Sequence, residues 1–184
     1  MGLFSKKSKN NNAGTFLPPQ QFYTLCMKDY HDFAQKQGYA VRGVIFIPEL
    51  VQYGQQLVLN LYRNEALQRN FSTPQAYYCM LVETAIRSGI ICGLKWHLDF
   101  PGLNQSGYME TVLGHCKELS AEAIKSDLQM SEKKFVEFSK KVYEHWSELH
   151  EPYWSLSDPR NYTFFATVAA FQLGVSMILC KYGF

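Results

Sequence analysis

Apolar side chains recur every three or four residues along six stretches of this chain, and that spacing places them on one face of an α-helix. The stretches cover residues 19–37, 48–68, 74–98, 105–126, 132–150 and 159–181. Residues 39–47 differ, because their β-branched and aromatic side chains prefer extended backbone and a proline follows. The pattern therefore predicts an all-α bundle of six helices with one extended link.

Two of the predicted helices begin with the same pair of signals. Thr73 precedes Pro74, and Asp158 precedes Pro159. In each pair, an oxygen that can cap the helix stands before a proline at the first helical position, where the missing N–H is not needed. We expect Pro74 and Pro159 to open the third and sixth helices.

The segment 73–94 resembles the segment 158–179, which lies 85 positions further along the chain. Identical pairs at this offset include Pro74 with Pro159, Tyr77 with Tyr162, Ala85 with Ala170 and Gly89 with Gly174. The helices before these segments match in apolar pattern but hardly in identity, and any two amphipathic helices can be aligned in that way. Two hypotheses stay open: a chance likeness, or two tandem three-helix units that cover residues 20–98 and 105–183.

The third and sixth helices are the least amphipathic, which is typical of helices at the centre of a bundle. Small residues recur on each helix at every fourth position, and they form two flat stripes: Ala85, Gly89 and Gly93, and Ala166, Ala170 and Gly174. A glycine inside a helix costs roughly 0.5–1 kcal/mol relative to alanine, and close packing is expected to offset that cost. We predict that the two helices touch along these stripes.

The composition indicates binding to protein rather than to nucleic acid. Charged residues make up 18% of the 184 residues, against a usual share of about 25%. Such a low share of charged residues indicates a large interior, or a contact face for a second copy or another protein. Three lysines, Lys6, Lys7 and Lys9, lie in residues 1–16, a polar segment predicted to be a flexible basic tail. The single helical domain predicted for residues 17–184 is left without a basic patch for nucleic acid.

Aromatic residues near the end of the fifth predicted helix are the candidate interface. Trp146, Tyr153 and Trp154 lie there, and such side chains anchor interfaces about as often as they pack a core. The five cysteines have no C-x-x-C spacing, and no secretory segment is recognised, so we expect reduced thiols in the cytoplasm. The prediction is a cytoplasmic protein that binds protein, as a homodimer.

Ionisable groups at inward-facing positions are the candidates for chemistry. His115 and His145 each lie on an apolar stripe, and Glu83 lies on the third helix. If these helices face one another, two imidazoles and a carboxylate could hold iron, manganese or zinc. The Glu-x-x-His spacing of di-iron bundles is absent, and a core histidine bonded to a backbone carbonyl is the commoner outcome. The sequence also contains no glycine-rich phosphate loop and no nucleophile elbow.

Three functions follow from these patterns. The first, which we predict, is a helical module that binds protein or itself, without catalytic activity and without a cofactor. The second is a helical bundle that binds a metal or small ligand through His115, His145 and Glu83, and that could be an enzyme. The third is a membrane protein anchored by residues 162–180, which carry no charge and are long enough to span a bilayer. Polar residues such as Gln172 dilute the hydrophobicity of that segment, so we do not expect a membrane anchor.

Overall fold

The computed structural model describes residues 16–64, 69–153 and 159–184. In these ranges the chain forms seven α-helices and no strand, which confirms the all-α prediction. The helices are α1 (Pro19–Lys36), α2 (Pro48–Arg63), α3 (Pro74–Leu103), α4 (Tyr108–Gly114), α5 (Cys116–Ser126), α6 (Glu132–His150) and α7 (Pro159–Leu179). Short 3-10 turns follow α6 and α7, at Glu151–Tyr153 and Cys180–Tyr182. The tail predicted for residues 1–16 lies outside the described residues except for Phe16.

The predicted helix starts agree with the structure. α3 and α7 begin at Pro74 and Pro159. The side chain of Thr73 accepts a hydrogen bond from the N–H of Ala76 at 3.2 Å, which caps α3. The matching cap at Asp158 lies outside the described residues.

Three of the predicted helices differ most from their predicted bounds. The helix predicted over 105–126 is divided into α4 and α5 at His115, whose φ of −127° and ψ of 29° leave the helical region. Gly114, a poor helix former, precedes the break. α2 ends at Arg63 rather than at residue 68, because Asn64 leaves the helical conformation, and residues 65–68 are outside the described ranges. α3 continues past residue 98, but Asp99 interrupts it with a non-helical backbone.

The interruption at Asp99 has a local cause. Pro101 lacks an N–H and disfavours helical backbone in the residues before it. The carboxylate of Asp99 then accepts a hydrogen bond from the N–H of Gly102 at 3.2 Å, as a capping residue does for a new helical turn. The regular part of α3 therefore stops at residue 98, where the pattern placed its end.

α3 and α7 form the centre of the fold through a contact between their backbones. A Cβ atom built on Gly89 would overlap the carbonyl oxygen of Phe171 and lie 2.9 Å from the nitrogen of Val175. A Cβ on Gly174 would overlap the carbonyl oxygen of Ile86 in the same way. Further along both helices, a Cβ on Gly93 would lie 2.7 Å from Ile178 Cγ2. Residues later in α3 thus contact residues later in α7, so the two helices run parallel.

Each outer helix packs mainly on one helix of this central pair. α1 lies mainly against α7, whereas α4 and α5 lie against α3. α2 contacts α7 more than α3, and α6 contacts α3 more than α7. The helices that precede α3 in residues 20–98 therefore pack mainly on α7. Those that precede α7 in residues 105–183 pack mainly on α3.

The extended link at residues 39–47 is held by polar side chains of α7. The N–H of Ile45 donates to Ser176 Oγ at 3.1 Å, and Gln172 Nε2 donates to the carbonyl oxygen of Ile45. The polar residues that dilute the hydrophobicity of α7 thus satisfy backbone groups of the link. By length and composition, Arg160–Tyr182 could cross a membrane, yet 89% of its most apolar window is buried inside the fold.

Replacing Gly89 by alanine tests the close approach of the two central helices. We expect Gly89→Ala to lower the free energy of unfolding by about 3 kcal/mol, because the methyl group would collide with backbone atoms that cannot rotate away. Gly114→Ala is the matched control: a Cβ there meets nothing within 4 Å, and alanine is the better helix former. Urea unfolding gives the comparison. A Gly89→Ala protein as stable as the parent would show that the helices do not touch at this point.

Candidate functional site

The three residues predicted as metal ligands lie apart in the structure. Glu83 Oε1 accepts a hydrogen bond from Arg87 Nε at 2.9 Å. His145 faces α1, where its Nε2 lies 2.7 Å from Asp29 Oδ2. His115 is exposed at the break between α4 and α5. The described part of the chain contains no group of three or more His, Cys, Asp or Glu side chains placed to hold a metal. The predicted convergence assumed one continuous helix over 105–126 and an α6 whose histidine faces α3, and neither condition holds.

Arg87 is the buried charge at the centre of the fold, with 2% of its surface exposed. Its guanidinium donates to Ser120 Oγ at 2.9 Å and to the carboxylate of Glu132, in addition to Glu83. The ring of Phe135 lies 4.5 Å from the guanidinium carbon. Two carboxylates therefore compensate one buried cation, and the network ties α3 to α5 and α6. Because these donors and acceptors are engaged with one another, the network has a structural role.

The described cysteines carry free thiols, and three of these thiols are poor nucleophiles because they are buried. Burial raises the pKa of Cys26 to about 12 and the pKa of Cys116 to about 11. Burial also raises the pKa of Cys92 well above its ordinary value. These three thiols therefore stay protonated near neutral pH, whereas the thiolate is the reactive form.

The aromatic residues predicted to form an interface belong to the core. Trp146 is fully buried, and its ring lies 5.3 Å from the ring of Tyr143. Tyr153 is also buried, 4.4 Å from the ring of Phe22. Residue type alone does not distinguish a core aromatic residue from an interface residue, so the structure corrects this expectation. Trp154 lies outside the described residues.

A different group of aromatic residues lies at the C-terminal ends of α3 and α7, and three of its five members are exposed. We call it the terminal aromatic cluster: Trp96, His97, Phe100, Tyr182 and Phe184. The ring of Trp96 lies 5.6 Å from that of Phe184 and 6.4 Å from that of Phe100. Phe184 is 46% exposed and Phe100 is 39% exposed. The cluster therefore offers ordered apolar surface to the outside.

Local backbone features position the terminal aromatic cluster. The break at Asp99 directs Phe100 away from the regular path of α3. Gly183 adopts a left-handed φ of 90°, and the N–H of Phe184 donates to the carbonyl oxygen of Leu179, which folds this segment back. Tyr182 Oη donates to Asp127 Oδ1 at 2.9 Å, which fixes the segment against the end of α5. The pattern placed the end of the third helix near the break, but it gave no sign of the turn at Gly183 or of the contact between Trp96 and Phe184, so the sequence reasoning missed this cluster.

Comparison of the chain with models of known protein families, with curated proteins and with solved structures finds no match. The structure itself defines the class, an all-α helical bundle around two parallel central helices.

A buried histidine is expected to make the stability of this fold depend on pH. His31 lies on the inner face of α1, and its Nδ1 donates to the carbonyl oxygen of Met27 at 2.6 Å. Its Nε2 is buried without a hydrogen-bond partner among the described protein atoms. Burial lowers the pKa of His31 below its ordinary value of 6.5. A proton on Nε2 would thus have no acceptor in the fold.

We expect His31 to weaken the fold as the pH falls. The unfolded chain binds a proton at His31 near pH 6.5, whereas the folded protein binds it only at lower pH. The free energy of unfolding should therefore fall as the pH decreases from about 6.5 toward the lowered pKa, by at most about 1.4 kcal/mol per pH unit from this group. Urea unfolding at pH 7.5, 6.5 and 5.5 should show a smaller decrease for His31→Gln than for the parent. Parallel curves for the two proteins would contradict this assignment.

Proposed function

We propose that the protein is a non-catalytic interaction module that self-associates through the terminal aromatic cluster. The observation that carries this proposal is the exposure of Phe100 and Phe184 on a well-packed group of rings. Aromatic side chains dominate the binding energy of many protein interfaces. Because these rings are already ordered against Trp96, binding would cost little additional side-chain entropy.

Charge supports a second copy of this chain as the partner. Lys95 and Asp99 lie beside the cluster, and their charged atoms are 2.8 Å apart, so the rim carries a pair of opposite charges. Two copies related by a twofold axis would bring the same surface to face itself. Each Lys95 could then lie near the partner's acidic rim, and the apolar rings would meet at the centre. The low overall charge of the chain, 18% of its residues, adds little repulsion between copies.

We also infer that the two halves of the chain arose by duplication. Gly89 meets Phe171 and Val175, while Gly174 meets Ile86 and Ile90. Subtracting the predicted offset of 85 from Gly174 gives Gly89, and adding 85 to Ile86 and Ile90 gives Phe171 and Val175, so the two sets correspond when the halves are exchanged. The outer helices follow the same exchange, because those of each half pack mainly on the central helix of the other half. Superposition of residues 20–98 on 105–183 in an experimental structure, with three helices in the same order and direction, tests this inference.

The other two hypotheses require larger changes in the fold. A metal site at Glu83, His115 and His145 would require two of these residues to leave their present partners, Arg87 and Asp29. A membrane anchor at residues 162–180 would require α7 to leave the core that surrounds it. The free thiols of the described cysteines support a reducing compartment, and we propose the cytoplasm.

Removal of the two exposed phenylalanine rings tests self-association. We expect sedimentation velocity across a concentration series to show a dimer for the parent. The double variant Phe100→Ser, Phe184→Ser should raise the dimer dissociation constant about tenfold or more, because truncation of a central aromatic residue commonly costs over 1.4 kcal/mol.

A matched control removes apolar surface elsewhere. Leu119 on α5 and Val136 on α6 are 43% and 39% exposed, close to the values of the two phenylalanines. The variant Leu119→Ser, Val136→Ser should remain a dimer. A monomeric parent, or equal weakening in both double variants, would refute the proposed surface. Binding of the parent to neutral lipid vesicles, abolished in the phenylalanine variant, would assign the cluster to a membrane instead.

A further inference from the structure

A cleft of about 790 Å³ lies at the opposite end of the central pair from the terminal aromatic cluster. Because α3 and α7 run parallel, their N-terminal ends lie together, and both ends contribute to this cleft. The C-terminal half of α2 and the residues just before α3, including Phe71, form the remaining wall. The volume is within the range of about 300–1,000 Å³ that is usual for small-molecule sites.

Two arginines from different helices line the same cleft. Arg63 is the last residue of α2, and Arg160 lies in the first turn of α7. Both side chains are exposed, and neither has an ion pair or hydrogen bond to any described residue. No acidic side chain is among the described residues that line the cleft. Two guanidinium groups that face one cavity, without an acidic partner in the part of the chain that the structure describes, favour binding of an anion.

The walls of the cleft are aromatic. Tyr62 and Phe164 face it with ring centroids 6.3 Å apart, and Phe71 faces it beside Tyr77 at 5.8 Å. The hydroxyl group of Tyr62 lies 3.3 Å from Thr167 Oγ1, within hydrogen-bond distance. These rings provide flat apolar faces on which an aromatic ligand can stack. The cleft thus combines a cationic rim with an apolar interior.

We propose that this cleft binds an aromatic phosphate monoester, with Arg63 and Arg160 on the phosphate and the ring between Tyr62, Phe71 and Phe164. A phosphate monoester carries a charge of about −1.5 to −2 near pH 7, which two guanidinium groups balance. Guanidinium also matches the geometry of phosphate oxygens through paired hydrogen bonds. The positive ends of the α3 and α7 dipoles add to the same potential.

This proposal does not depend on self-association. The cleft and the terminal aromatic cluster lie at opposite ends of α3 and α7, so either site can be removed while the other is measured.

Isothermal titration calorimetry with 1-naphthyl phosphate tests the site. We expect saturable binding by the parent, with inorganic phosphate and 1-naphthol each binding at least about tenfold more weakly, since each lacks one half of the recognition. Arg63→Gln and Arg160→Gln should each raise the dissociation constant for 1-naphthyl phosphate about tenfold, the loss expected for one charge-assisted contact.

Arg42→Gln is the matched control for charge. Arg42 is an exposed arginine in the link that packs on the C-terminal half of α7, so its replacement changes the net charge equally at the other end of the molecule. Its dissociation constant should equal that of the parent, and all three variants should melt at the parent's temperature. The proposal is overturned by absence of saturable binding at millimolar 1-naphthyl phosphate, or by equal effects of all three variants. Inorganic phosphate that binds as tightly as 1-naphthyl phosphate would refute the aromatic part of the assignment.

Discussion

The position of every other helix depends on the backbone contact between α3 and α7. At Gly89 and Gly174 no Cβ atom separates the two helices, so a carbonyl oxygen of each lies against the other's backbone. α1 and α2 are placed mainly on α7, and α4, α5 and α6 on α3, so a wider separation of the central pair would displace both sets. The same parallel contact brings together the N-terminal ends of the two helices at the cleft and their C-terminal ends at the terminal aromatic cluster.

Most of the secondary structure follows from local chemistry, and the exceptions have local or tertiary causes. The apolar period and the Thr73–Pro74 cap predicted the position of α3, and the β-branched run predicted the extended link. The break at His115 was missed because the residues on both sides continue a helical pattern. The link is held by the side chains of Gln172 and Ser176, which lie 127 and 131 residues from Ile45 along the chain. The periodicity of apolar residues does not predict hydrogen bonds between residues so far apart in the chain.

The candidate sites were less predictable than the fold, since they depend on which neighbour each helix face meets. The pair Glu83–Arg87 was visible at a spacing of four residues, but Glu132, the second carboxylate, lies 45 residues from Arg87. Helical spacing predicted that His145 faces inward, and the structure shows a half-buried side chain; the spacing could not show that α1, with Asp29, would be its neighbour. Arg63 and Arg160 are unremarkable in the sequence, and the packing of α2 against α7 brings them to one cleft.

Native-state hydrogen exchange tests the central role of the α3–α7 contact most directly. If the contact supports the rest of the fold, amides around it, such as those of Ile90 and Val175, should exchange only when the whole protein unfolds. Their opening free energy should then equal the global free energy of unfolding, while amides in α1, α2 and α6 open at lower cost. Faster exchange in the central pair than in the outer helices would contradict this hierarchy, because the helices around the contact would then persist without it.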